Sequence, residues 1–385
     1  MRRRMRGVAV AAIALTSVMS MAACAKDNGG NSAGSGSTGT EGGCKLSEKP
    51  PAAAAANTTS SAAGQKVDGS SLKVGLAYDI GGRGDASFND SAAAGLDKAK
   101  AELGIKPENI RELTAAPNEA EDAKLTRLRQ LASEGFSPII TVGFAYAESL
   151  KTVAPEFPNV KFAIVDGTVE GATNVTPLVF AEEQGSFLAG VIAAYQSKNC
   201  HIGFVGGVET PLIGKFEAGY EQGAKAAAPD IKIEEKYLTP AGDFSGFQDP
   251  TKGQVAAQGQ IESGADVLYH AAGASGKGVF SAAKAANAKA IGVDSDQYNQ
   301  ATVAESKDVI VSSMLKRVDV AVYDYVEAVA KNDLSSLPKV FDLKVDGVGY
   351  ATSGGKIDEE LKAVLEGYKA QIIEGKITVS DKPSS

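Results

Sequence analysis

The 385-residue sequence has no tryptophan, and aromatic residues of all kinds make up only 6% of it. Two histidines and three cysteines are too few for a His- or Cys-rich metal centre, and no H-E-x-x-H pair or spaced carboxylate loop supplies another. No G-x-S-x-G elbow is present. Cys200 and His201 are adjacent at a strand start and face opposite sides, so they do not form a catalytic pair. Positive charge is also scarce. The formal net charge is -8, and the first 23 residues carry Arg2, Arg3, Arg4, Arg6 and no acid, so the remainder is more acidic still. Such a chain is a poor partner for nucleic acid, which is held largely by neutralising phosphates. Nucleotide fingerprints fail too. GGRGDA (81–86) is not G-x-G-x-x-G. AAGASGKG (271–278) lacks the first glycine of a P-loop at Ala271 and its Ser/Thr at Gly278. A hydrolase using two acids, such as Asp79 and Asp294, is the enzyme reading that remains. The reading is a binder that needs no metal and no cofactor, not an enzyme.

What is present begins with MRRRMRGVAVAAIALTSVMSMAAC. Four arginines precede an apolar stretch, Gly7 to Ala23, interrupted only by Thr16, Ser17 and Ser20. This is the order of a secretory signal, 1–23. Met21-Ala22-Ala23-Cys24 resembles a bacterial lipobox, with Met21 in place of the usual leucine. The resemblance implies a lipid chain on Cys24 and cleavage before it, which would hold the protein to the extracytoplasmic face of the membrane without a spanning helix. Residues 24–70 follow as a Gly-, Ser-, Thr- and Ala-rich tether. Cys44 lies in that tether and Cys200 in the folded part. Outside the cytoplasm a Cys44–Cys200 disulfide is permitted and would pin the tether to the domain; the alternative is two unpaired thiols.

From Leu72 short apolar runs alternate with amphipathic stretches. Strands are expected at Leu72–Tyr78, Ile110–Thr114, Pro138–Val142, Val160–Val165 and Val175–Phe180. A second series follows at His201–Val205, Ile231–Tyr237, Val267–His270, Ala290–Val293, Val309–Ser312 and Val340–Val345. Helical periodicity fills the gaps, among them Asp90–Leu103, Gln184–Tyr195, Phe216–Ala227 and Val318–Ala330. Strand–helix alternation argues for an α/β protein with mostly parallel sheets covered on both faces. Two series of similar size argue for two lobes with a cleft between them.

Ligands of such sheets sit beyond the carboxyl ends of strands, and polar segments stand there. DIGGRGDASFND (79–90) leads from strand to helix, with Asp85 or Ser87 as a cap. Gly143–Ala147, Asp166–Gly167, GDFSGFQDPTK (242–252), AAGASGKG, DSDQY (294–298) and Lys316 complete the set. Each alone reads equally as a turn. A carboxylate and an ammonium at two strand ends would suit a diol, and flanking aromatics would suit a planar ring.

VGLAYDIGGRGDASFND, GFVGGVETPLIGKFEAGYEQG, GADVLYHAAGASGKGVFSAAK, IGVDSDQY and VSSMLKRVDVAVYDYV resemble the basic membrane protein family, over roughly Leu72 to Ile373. These are lipoprotein substrate-binding components of ATP-driven importers, and the nearest likeness is to members that bind purine nucleosides. The resemblance implies a type I periplasmic-binding-protein fold, with two doubly wound lobes closing on the ligand. The first lobe would comprise 71–180 and about 313–340, the second 181–312 and about 341–375, leaving 376–385 as a tail. It implies stacking of the base between Phe88 and, from the second lobe, Phe247, with Phe244 and Tyr269 as substitutes. Asp79, Asp294 and Asp166 would take ribose hydroxyls, beside Lys316, Asn89 and the close backbone of Gly273. The partners implied are a nucleoside, a permease with its ATPase, and the membrane through Cys24, with the receptor acting as a monomer. The loop here carries an extra GGRG, placing Arg83 near the cleft mouth. Alternative readings are a receptor of the same fold for a sugar or another small polar solute, and a ligand-sensing lipoprotein that does not transport.

Overall fold

The two series of strands form two separate sheets. The computed structural model describes residues 43–53, 67–117 and 119–384. Cys24, with the signal-peptide and lipidation expectations, lies outside the described residues. The first sheet contains β1 (Val74–Tyr78), β2 (Ile110–Thr114), β3 (Ile139–Val142), β4 (Phe162–Val165) and β5 (Val175–Leu178), in the order β2-β1-β3-β4-β5 and parallel throughout. The second contains β6 (His201–Val208), β7 (Lys232–Thr239), β8 (Val267–Ala271), β9 (Lys289–Asp294), β10 (Ile310–Lys316) and β11 (Val348–Tyr350). Its order is β11-β10-β9-β8-β6-β7, with only β11 antiparallel. Apart from β11, the two orders are the same, so β1 corresponds to β6, β3 to β8, β4 to β9 and β5 to β10. Central strands such as β1, β3 and β4 are buried along their whole length, as parallel strands covered on both faces must be.

Helices α1 (Phe88–Leu103) and α8 (Val318–Lys331) pack together on one face of the first sheet; α2 (Glu121–Ser133) and α3 (Ala147–Val153) cover the other. On the second sheet α4 (Glu182–Gln196), α5 (Pro211–Ala227) and α9 (Glu359–Ile373) share one side, and α6 (Pro250–Glu262) and α7 (Gly276–Ala286) the other. Among the described residues no helix is long and apolar enough to cross a membrane. Helices α4 and α5 meet backbone to backbone. A Cβ added at Gly190, Gly219 or Gly223 would lie 2.0 Å or less from the carbonyl oxygens of Tyr220, Glu183 and Phe187, so only glycine fits along this seam.

Several boundaries differ from the sequence expectation. Helix α5 starts at Pro211, not Phe216, because Thr210 caps it and proline occupies its first turn. No strand forms at 340–345. Asp342 instead accepts bonds from the amides of Lys344 and Val345 and curls the chain into a 3-10 turn, and the strand comes later, as β11. Strand β10 continues to Lys316 in the second sheet, so the chain leaves that sheet at Arg317 and not near 313. The stretch expected as a tail is docked on α5. Gln222 exchanges two hydrogen bonds with the backbone of Ser380, and Ser384 bonds Glu221.

Candidate functional site

One cleft of about 570 Å³, counting its open side, lies beyond the carboxyl ends of the strands. Its lining includes Asp79, Phe88, Asn89, Asp166, Phe247, Gly273, Asp294 and Lys316, all eight of the sequence candidates.

The first lobe's wall is built by the loop between β1 and α1. Asp85, not Ser87, satisfies the start of α1: its carboxylate accepts from the backbone amides of Ser87, Asn89 and Asp90 and from the Asn89 side chain. That fixes Phe88 and Asn89 at the first turn. Asn89 in turn accepts from the Asp79 amide and donates to the Ile80 carbonyl, tying the loop back to β1. Asp79 and Asp85 are both pushed up to about 6 by burial, against the hydrogen bonds that favour their ionised forms. Arg83 does not enter the cleft. Its guanidinium makes paired bonds to Asp97 and Glu112 on the outer surface.

Asp166, which follows β4, and Asp294, which ends β9, occupy equivalent places in the two lobes. Both adopt left-handed backbone, φ 62° and 63°, a conformation that aspartate tolerates better than most residues. Both carboxylates converge on Lys316 at the end of β10. Its Nζ donates to Asp166 Oδ2 at 2.5 Å and lies 3.5 Å from Asp294 Oδ1, close enough for an ion pair though not hydrogen-bonded. Burial alone would push Lys316 down, but the carboxylates of Asp166, Asp294 and Glu182 outweigh it and hold the ammonium above the usual lysine range. The ammonium also sits 4.5 Å from the centre of the Phe88 ring, and 5.4 and 5.6 Å from those of Phe216 and Phe180. The Oδ1 atoms of Asp166 and Asp294 are buried and accept no hydrogen bond among the described residues.

The second lobe's wall is more apolar, with Leu212, Ile213 and Phe216 from the first turns of α5. Phe247 lies in the 3-10 turn before α6, with its ring against bare backbone: a Cβ at Gly207 would fall 2.4 Å from Phe247 Cδ1. Of the expected substitutes, Tyr269 is buried behind the wall against Ser186, and Phe244 meets Phe144 of the first lobe, ring centres 5.6 Å apart. Further bonds join the lobes: Ser87 Oγ to Asp294 and to the Val293 carbonyl, Ser295 Oγ to the Ser87 carbonyl, Gln297 to the Ala86 carbonyl and Lys277 to the Gly84 carbonyl.

Sequence reasoning missed Leu212, Ile213 and Phe216, because the helix was read as starting at Phe216; Thr210-Pro211 was the available signal. It also missed Glu182, the buried first residue of α4. Burial and the nearby Asp166 push Glu182 up to about 7, and Lys215 Nζ pairs with it at 3.1 Å. Its position at a helix start reads in sequence as an ordinary dipole-compensating acid.

Such a constellation holds hydrogen-bonding groups over a flat apolar face and offers no nucleophile–base pair. Residues 72–382 match the model of a family described as ABC transporter substrate-binding protein PnrA-like. A Listeria innocua protein named CD4+ T-cell-stimulating antigen is 35% identical over 83% of this chain and 91% of its own. A Lactococcus lactis protein named ABC transporter nucleoside-binding protein BmpA is 32% identical over 98% of this chain and 99% of its own. The crystal structure of an ABC transporter solute-binding protein from Aeropyrum pernix superposes with a TM-score of 0.68 at 28% identity, covering 80% of this chain and 92% of that one. The cleft between two parallel sheets thus sits in a chain that belongs to the PnrA-like family of ABC transporter substrate-binding proteins, whose role is to bind a small molecule for a permease and its ATPase and not to transform it.

Proposed function

We propose that this chain captures a nucleoside, with preference for a purine, outside the cytoplasm and presents it to its permease while tethered through a lipid on Cys24. The observation that carries the ligand is the pair of buried carboxylates, Asp166 and Asp294, each with one oxygen that accepts no bond among the described residues. They flank Lys316 beneath Phe88. A vicinal diol is the matching donor, because its two hydroxyls can each satisfy one carboxylate oxygen, and a buried acceptor left without a donor costs about 1–3 kcal/mol. Lys316 then faces the sugar as a further donor. Phe88 and Phe247, one from each lobe, offer faces to the planar base. The name of the Lactococcus lactis relative supports the same ligand class. Asp79 adds a third carboxylate for the sugar hydroxyls on the first lobe's side, and Asn89, bonded to Asp79, Ile80 and Asp85, holds that loop and Phe88 in place. Because the bonds that join the lobes, and the Lys316–Asp166 pair that also crosses from one lobe to the other, must break for a ligand to enter, capture couples binding to lobe closure. The receptor acts as a monomer.

Titration calorimetry on protein refolded from denaturant tests this, with inosine, guanosine, adenosine, cytidine, uridine, ribose and galactose as ligands. One-to-one heat with purine nucleosides, lost in Asp294→Ala, is expected. Heat with ribose or galactose and none with any nucleoside would remove the nucleoside and leave a sugar receptor.

A further inference from the structure

Cys44 and Cys200 are disulfide-bonded, with their Cα atoms 4.7 Å apart. Cys200 immediately precedes β6, and its carbonyl accepts from Lys232 of β7, so it belongs to the second lobe. The residues next to Cys44 stay with that lobe. The Ser47 amide donates to the Ala227 carbonyl at the end of α5. Pro50 and Pro51 lie against Gly367 of α9, where a Cβ would come within 2.7 Å of the Pro51 oxygen. Lys49 pairs with Glu360, also of α9. Past residue 66 the chain is in the other lobe. The Gly69 amide donates to the Leu103 carbonyl at the end of α1, and Lys73 bridges to Ser137 just before β1. The polypeptide therefore visits the second lobe, is bonded there covalently, and only then enters the first.

We infer that the disulfide transfers the N-terminal tether from the lobe it precedes in sequence to the other one: the membrane holds the second lobe, through Cys200, and the first lobe hangs from it. The noncovalent contacts of 43–53 could not bear this alone. The Lys49–Glu360 pair is exposed on both sides, and such pairs contribute little. Two consequences follow. The working tether runs from Cys24 to Cys44, twenty residues, and not from Cys24 to Val67, forty-three. For a flexible chain the r.m.s. reach falls from about 36 Å to about 25 Å. The local concentration of the receptor near its anchor point rises about threefold, as the inverse three-halves power of length. Pulling on the tether also no longer pulls on β1, which supplies Asp79 to the cleft. The membrane part of this inference rests on lipidation of Cys24; the covalent part does not.

The test uses the full chain with a site for a specific protease inserted between residues 54 and 66, expressed in a bacterium that processes lipoproteins. After cleavage without reductant, non-reducing electrophoresis is expected to show one species, which separates into two on adding a dithiol. In membrane fractions the cleaved body is expected to stay bound until the dithiol is added, whereas in C44S/C200S it leaves on cleavage alone. Two fragments without reductant, or alkylation of both cysteines in the untreated folded protein, would overturn the inference. A body found in the soluble fraction before any cleavage, with the fragments still joined on the gel, would overturn lipidation and its membrane consequence while keeping the covalent transfer.

Discussion

In the first lobe the chain meets the cleft with acids: Asp79, Asp85 and Asp166 stand at or near strand ends, and the loop that carries two of them is braced by its own hydrogen bonds. In the second lobe it meets the same cleft with Leu212, Ile213, Phe216 and Phe247, and its charged groups are reduced to Asp294 and Lys316. The strand order is shared, so topology does not make this difference; the residues placed after equivalent strands do. Asp166 and Asp294 remain the one matched pair. The lesson is a division of labour. The first wall carries the acids, fixed by polar partners, with Phe88 set among them, the second is mostly apolar, and the lysine at the end of β10 joins them.

Removing that joint should have the largest effect. Lys316→Met leaves two buried carboxylates facing each other without their cation. Stability is expected to fall by about 3–5 kcal/mol in urea unfolding, and nucleoside affinity by more than 100-fold. Lys316→Met with Asp166→Asn should regain much of the stability and none of the binding. A single variant as stable as the parent would mean that the walls are not joined there.

The division is sharpened by comparing Phe88→Ala with Phe247→Ala. Loss of one stacking partner is worth about 1–3 kcal/mol, so each should weaken nucleoside binding about 5- to 150-fold in calorimetry. A loss confined to Phe88 would show that the second wall contributes shape and not stacking.

The first wall should also respond to pH. Burial pushes the Asp79 carboxyl up to about 6, above the ordinary carboxylate range. A raised carboxyl favours the protonated form, so its contribution is present below about pH 4 and lost as pH climbs through 6. Asp79→Asn should therefore raise unfolding free energy at pH 7 by up to about 3 kcal/mol and flatten the pH 4–6 limb. Asp85, shifted in the same direction, leaves part of that limb in place. An unchanged limb would place Asp79 outside the dry part of the wall. Arg83→Ala should do least. Its pairs with Asp97 and Glu112 are partly exposed, so stability should change by about 0–1 kcal/mol and ligand affinity by less than twofold.

The alternation of apolar runs with helical periodicity was enough to place two parallel-dominated sheets, because buried strands and covering helices leave different periods in the sequence. The rule that ligands gather past strand ends marked the segments that carry the acids and aromatics of the cleft, and the family resemblance chose Phe88, Phe247 and the acids within them. Side chains that reach the cleft from a helix were harder. Leu212 and Ile213 have the composition of core residues, and only the position of α5's first turn distinguishes them. Glu182 was invisible for the opposite reason: an acid at a helix start is commonplace, and its burial follows from how α4 lies against Lys215 and Asp166. Nothing in the spacing of Asp342 announced that the run at 340–345 would turn and not extend. The direction of Arg83 depended on Asp97 and Glu112, which are near it in space but distant in sequence.

The glycine seam between α4 and α5 bears on how this cleft can change over evolutionary time. Two helices whose backbones touch have no side-chain layer to thin or thicken between them, so their spacing is a constant. Any larger residue at Gly190, Gly219 or Gly223 would push α5 outward bodily, taking Leu212, Ile213 and Phe216 with it. The apolar wall therefore behaves as a cast part. Its surface can be recut one side chain at a time, but its place on the second lobe cannot, and new ligand preferences should arise by substitution at the tips of α5 and the loop before α6 and not by moving α5 on its sheet.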